Sequence, residues 1–228
     1  MIRQLAIAVA IALFAVGSTG PAADEQGFVS MFNGKDLAGW EGKPGGWWVE
    51  DGAITAQSTK EKPCVKAHYL YWKGGEPADF AMRFKYKIID GNSGVQFRSK
   101  RRPEYDTWGY QADIEAGTQW TGCLFQHDRG GVVMRGNRAV IAEDGNRKEE
   151  EFAPGSELQK VIKPNDWNDY EILAKGSRIV LRINGKLMSE VDDRDKKMAC
   201  HKGIIALQMH PGPPMKVQFK DLRIKILK

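Results

Sequence analysis

The chain has 228 residues, 42% of them hydrophobic and 28% charged, with 25 Gly, 10 Pro and 3 Cys. That length suits one domain with a real core, the aromatics exclude a disordered chain, and so few cysteines exclude a disulfide-stapled small fold. The net charge of +5 is spread among alternating acids and bases, and the one compact basic run, Lys100-Arg101-Arg102, is short, so nucleic acid is not an expected partner.

The chain opens on Met1-Ile2-Arg3, continues through an apolar run over residues 5–16, and then turns small and breaker-rich up to Ala22 and Ala23. This is the layout of a secretory signal peptide, and the run falls short of the roughly 20 residues a spanning helix needs. No Cys precedes Cys64 to take a lipid, and Arg3 has no arginine beside it. The expectation is a signal peptide over residues 1–23 and one mature domain over residues 24–228. That domain is expected in the periplasm or secreted, with no membrane association after cleavage. Cys64, Cys123 and Cys200 are odd in number, so at least one thiol stays unpaired within a monomer, and none sits at a metal-type spacing.

Past Asp24 the pattern has a period of two. Trp48 and Ile54 flank a turn at Glu50-Asp51-Gly52. Phe80, Met82, Phe84, Tyr86 and Ile88 alternate with Ala81, Arg83, Lys85 and Lys87, which predicts a half-buried strand. Asp90-Gly91-Asn92 turns the chain, Val95 and Phe97 alternate with Gln96 and Arg98, and Tyr110, Ala112 and Ile114 alternate with Gln111, Asp113 and Glu115. Ile179, Leu181 and Ile183 run into Asn184-Gly185, a strong hairpin signal. Residues 204–210 form a strand stopped by Pro211-Gly212-Pro213-Pro214, and residues 217–226 alternate again. Residues 148–151 and 157–162 offer at most short helical turns. Many strands with short turns and no helical layer predict an all-β jelly-roll sandwich.

Several strands carry residue types unlike those of an ordinary solvated face. Gln96 with Arg98, Gln111 with Asp113 and Glu115, and Gln208 with His210 share faces, and together they suit recognition of sugar hydroxyls on one concave face. Trp120, Trp108 and Tyr105 stand beside them as candidate stacking platforms. The segment from Gln111 to Glu115 resembles a degraded form of the E-x-D-x-(x)-E strand of laminarinase-type glycosidases. Its first position is an amide, which cannot form a glycosyl-enzyme ester. Asp113 and Glu115 are two apart on a strand, roughly 6.5–7 Å by strand rise, a separation open to an inverting pair. No nucleophile elbow, P-loop, H-E-x-x-H or dinucleotide fingerprint is present, and His68, His127, His201 and His210 lack ligand spacing. Neither cofactor nor metal is expected.

Residues 28–40, Phe-Val-Ser-Met-Phe-Asn-Gly-Lys-Asp-Leu-Ala-Gly-Trp, resemble the opening of the 3-keto-disaccharide hydrolase domain family. The resemblance continues through residues 48–52, 91–98, 109–114, 165–171, 183–185, 203–214 and 219–223, in the same order. It implies a concanavalin A-like jelly roll and cleavage of glycosides already oxidised at C3. Many members read G-Y-E-x-Q-I where this chain has Gln111 and Asp113, so acid and amide are exchanged along one face, which points to Asp113.

A ketone at C3 acidifies the C2 proton and allows the C1 oxygen to leave by elimination, with water then adding to the unsaturated sugar. That chemistry needs a base, an acid and donors to the C3 oxygen. The candidates are Asp113 and His210 as acid and base in either order, with Glu115 as an alternate. Gln96, Arg98, Gln111, Gln208 and Trp120 are the candidate substrate contacts. Two alternatives stand beside this: that Asp113 only orients Arg98, and that the protein is a non-catalytic, lectin-like carbohydrate-binding module.

Overall fold

The computed structural model describes residues 26–228, and the expected signal segment lies outside them. The first strands are β1 (Val29–Ser30), β2 (Trp40–Glu41), β3 (Trp48–Glu50), β4 (Ala53–Ser58), β5 (His68–Trp72), β6 (Phe80–Ile89), β7 (Asn92–Arg102) and β8 (Asp106–Glu115). There follow β9 (Leu124–Gln126), β10 (Gly130–Val133), β11 (Asn137–Ile141), β12 (Arg147–Glu151) and a one-turn helix α1 (Gly155–Gln159). The chain closes with β13 (Asn168–Lys175), β14 (Arg178–Ile183), β15 (Lys186–Asp193), β16 (Ile204–Met209) and β17 (Met215–Ile226).

They form two sheets. One runs β12-β11-β15-β14-β13-β6-β17-β4-β3, with β1 also on β17, and the other runs β10-β9-β8-β7-β16-β5-β2. Every pairing is antiparallel except β11 with β15. The expected alternation is plain in β6, whose Phe80, Met82, Phe84, Tyr86 and Ile88 are buried while the residues between them are not. From the larger sheet Phe84, Tyr86, Tyr170 and Phe219 pack as one aromatic group, with Phe84 stacked on Tyr170 at 5.2 Å. Phe97, Tyr110, Ile114 and Leu207 of the smaller sheet join the same core, so the two sheets close as a jelly-roll sandwich. Asn184 and Gly185 both take positive φ, 49° and 77°, the geometry a two-residue hairpin between β14 and β15 demands.

Residues 148–151 differ from expectation: they lie in a strand, β12, paired with β11 at the sheet's edge, with all five residues exposed. Their charged sequence offers no apolar stripe for a helix to bury, while a charged strand blocks further pairing at an exposed edge. Residues 157–162 begin inside α1, as a short turn should. Cys64, Cys123 and Cys200 are all free thiols. No helix among the described residues is long and apolar enough to cross a membrane.

Candidate active site

β8, β7, β16 and β5 lie side by side in the smaller sheet, and their outward positions make a floor. Gln111 stands opposite Gln96, Asp113 opposite Gly94, Ala206 opposite Gln96 and Gln208 opposite Tyr69. These side chains are nearly sealed, Gln96 at 0%, Asp113 at 3% and Gln208 at 5% exposure, so each amide must find partners within the protein. They find them in one directed chain. Ser99 Oγ donates to Gln96 Oε1 at 2.6 Å, and Gln96 Nε2 donates to Gln111 Oε1 at 3.0 Å. Gln111 Nε2 then donates to Asp113 Oδ1 at 2.7 Å and to Gln208 Oε1 at 3.1 Å, using both of its hydrogens. Gln208 Nε2 donates to the Tyr69 hydroxyl at 2.9 Å. Tyr69 is therefore a receiver at the chain's end, with the buried Thr107 hydroxyl also beside its oxygen. Gly94 makes the arrangement possible, because a Cβ there would stand 2.6 Å from the Gln111 side chain that crosses β7.

Above this floor is a cavity of ≈ 360 Å³ lined by Tyr69, Gln111, Asp113 and Gln208, in the range of small-molecule sites. Trp120, Phe125 and His127 form one wall, with the Trp120 ring edge-on to Phe125 at 6.3 Å and Phe125 edge-on to His127 at 5.7 Å. His210 and Pro211 form another, at the point where the proline-rich turn stops β16. Trp120 comes from the loop between β8 and β9, which two groups hold in place. Glu115 Oε2 accepts the Trp120 backbone N–H at 2.6 Å, and Arg135 donates to the carbonyl of Thr118 at 2.6 Å and to that of Thr121. From behind, the Tyr170 hydroxyl reaches through the core to the Asp113 carbonyl at 3.3 Å.

Burial pushes the Asp113 carboxyl well above the ordinary carboxylate range; the Gln111 hydrogen bond opposes this and the Glu115 charge adds to it. Burial likewise raises Tyr69 to about 12, so that hydroxyl stays a neutral donor. His127 is lowered by burial and favours the neutral imidazole. His210 Nδ1 lies 2.5 Å from the Pro211 carbonyl, which can only accept; Nδ1 therefore carries a proton, and Nε2 is the ring nitrogen left to exchange one.

Of the residues expected from sequence, Gln111, Asp113, Gln208, Trp120 and His210 line this cavity, and Gln96 supports it from below. Glu115 is nearby but its carboxylate is engaged with the Trp120 backbone. Arg98 does not join them. A bulge between Phe97 and Lys100, with φ of 47° at Arg98, breaks the alternation that would have placed it beside Gln96. Its guanidinium instead donates to the carbonyls of Ala78 and Gly176 at 2.7 and 2.8 Å and pairs with Asp79 at 3.0 Å. Asp113 therefore does not orient Arg98. Trp108 bonds Asp128, and Tyr105 stacks on Tyr71, so neither serves as a wall of the cavity. Tyr69, Phe125 and His127 were not foreseen. Tyr69 and Tyr71 do alternate with Leu70 in β5, a signal the sequence carries; β9, at three residues, is too short to show a period.

No group of three or more His, Cys, Asp or Glu among the described residues is placed to hold a metal ion. Another hollow, ≈ 320 Å³, lies on the outer face of the larger sheet, but its charges answer one another, as in Arg83 with Glu171 and Lys85 with Asp221.

The sequence model of the 3-keto-alpha-glucoside-1,2-lyase-like domain matches residues 27–225. No curated protein matches the chain. Among solved structures, a candidate glycosyl hydrolase from Parabacteroides distasonis is similar with a TM-score of 0.60 at 21% identity, over 90% of this chain and 96% of that one. A carbohydrate-binding module from Bacillus subtilis is similar with a TM-score of 0.54 at 16% identity, over 82% and 95% of the two chains. A Bacillus subtilis protein of unknown function with a galectin-like fold gives 0.51 at 10% identity, over 83% and 90%. At such identities the likeness is one of fold.

Proposed function

The chain belongs to the 3-keto-alpha-glucoside-1,2-lyase-like domain family, and from that premise we propose that it cleaves glycosidic bonds of sugars oxidised at C3, by elimination across C1 and C2. The observation that carries the reading is the directed amide chain, which brings the Tyr69 hydroxyl and a buried Asp113 carboxyl to one cavity. A C3 ketone sits between these two donors. Removing the C2 proton moves an electron pair into the C2–C3 bond and leaves negative charge on the C3 oxygen. Tyr69 and the protonated Asp113 stabilise that charge; fixed donors of this kind are each worth about 10²–10³-fold in rate.

His210 Nε2 takes the C2 proton. The enolate then re-forms the ketone, the C1–O bond breaks, a C1–C2 double bond forms, and the imidazolium returns the proton to the departing oxygen. Water adding across that double bond completes a net hydrolysis. Gln111 at the position of a glycosidase nucleophile is no obstacle, because no glycosyl ester is formed.

A 3-keto-glycoside labelled with deuterium at C2 tests this. The label is expected to leave the sugar on turnover. A sugar product that keeps it would overturn elimination in favour of direct displacement at C1. The same floor suits a lectin-like module that holds hydroxyls without reacting, and a panel of 3-keto-glycosides separates the two, since a binder retains them uncut. The reading includes export of the chain, and intact mass of protein from a native host is expected to lack residues 1–23.

A further inference from the structure

The cavity over Asp113 does not end at His210. A second lobe of ≈ 460 Å³ adjoins it, and the two share Asn92, Trp120, His210 and Pro211 as common walls. Taking the elimination reading above as its basis, we propose that this second lobe receives the leaving group, and that it selects an aglycone presenting a flat, apolar ring face.

Position argues for the first half. If the C3 oxygen lies at Tyr69 and Asp113, which line only the first lobe, then C1 and its oxygen point toward the junction. His210 stands at that junction, where the proton is taken from C2 and handed to the leaving oxygen. With the C3 oxygen held at Tyr69 and Asp113, the group attached to C1 extends past His210 toward the second lobe.

Composition argues for the second half. Trp120, Pro211, Pro213 and Met215 give the second lobe apolar surfaces, and Gly91 and Gly117 add no side chain to fill it. Its carboxylate, Glu115, has one oxygen tied to the Trp120 backbone N–H. That same bond, with the edge contact to Phe125, fixes the indole as a rigid platform. Rings lose little freedom on such a surface, whereas a methyl group covers almost none of it.

The test compares methyl, phenyl and glucosyl 3-keto-glucosides with the purified protein. Both ring aglycones are expected to exceed methyl in kcat/KM by about tenfold or more, chiefly through KM. In Pro213→Ser and Met215→Ala that ratio is expected to fall toward one. Met215 is also part of the core, so the exposed Pro213 gives the independent variant. Calorimetric binding of the unoxidised methyl and phenyl glucosides provides a readout that needs no turnover. Equal kcat/KM for methyl and ring substrates overturns the proposal. If nothing is cut but phenyl glucoside binds more tightly than methyl, and Pro213→Ser erases the difference, the lobe stands and the elimination reading falls. Equal binding with no turnover overturns both.

Discussion

Asp113 has a carboxyl group with almost no access to water and a neutral amide as its hydrogen-bond partner. Its folded-state pKa is raised, so the native state keeps the proton over a window that begins at the ordinary value of 3.8 and extends upward. Within that window the folded chain binds more protons than the unfolded one, and stability falls as pH rises. Asp113→Asn removes this loss. The variant's advantage in urea midpoint over the natural protein is expected to be absent in acid and to grow toward neutral pH; a constant gap would show that Asp113 does not titrate as described. Asn at this position still accepts from Gln111 and offers an N–H toward the C3 oxygen, so Asp113→Asn is expected to keep most of kcat and to lose the fall in kcat that ionisation of Asp113 imposes at higher pH, whereas Asp113→Leu, which offers no donor, is expected to lose about 10²-fold or more. Tyr69→Phe keeps the ring and deletes the donor, and a kcat loss of about 10²–10³-fold with little change in KM is expected. Unchanged kcat in that variant would remove Tyr69 from the reaction.

The strand that matters most beyond the floor is β7, because its bulge separates two roles. Before it, Gln96 supports the cavity floor; within it, Arg98 turns away and ties together the segments around Ala78, Gly176 and Asp79. Leaving those carbonyls and that carboxylate without a cation is costly, and Arg98→Leu is expected to destabilise the fold by about 3 kcal/mol. The measurement is a urea midpoint, paired with kcat of the folded protein, which is expected to stay near the natural value. A selective loss of kcat with full stability would return Arg98 to the site. β6, β8 and β17 were legible because apolar and polar side chains alternate along them, even in β8, which is buried on both faces, and β14 from the Asn184-Gly185 turn that ends it. The bulge was not legible, since nothing in Gln96-Phe97-Arg98-Ser99 distinguishes a regular strand from one with an extra residue. β12 was missed for a related reason: a strand exposed on both faces carries no hydrophobic period to read.

Across the whole molecule, side chains of both sheets meet in one core, and the site is supported through it by the Tyr170 hydroxyl on the Asp113 carbonyl. Unfolding is therefore expected as a single transition, with tryptophan fluorescence and far-UV circular dichroism giving coincident urea midpoints. Two separated midpoints would show that the sheets unfold as independent units. The sandwich class, the longer strands β6, β8, β14 and β17 with their turns, and the polar face of β8 were determined by the sequence alone, because alternation and turn chemistry are local properties. The motifs over residues 28–40, 91–98 and 109–114 carried the family in the same way. Which of those polar residues meet was decided only by the tertiary structure. Gln111, Gln208 and Tyr69 come from three strands far apart in the chain, and only the sheet order β8-β7-β16-β5 sets them in one hydrogen-bonded row. A row of that kind has no spacing in sequence, and the burial that raises Asp113 comes from neighbours on other strands and loops, the Trp120 wall among them.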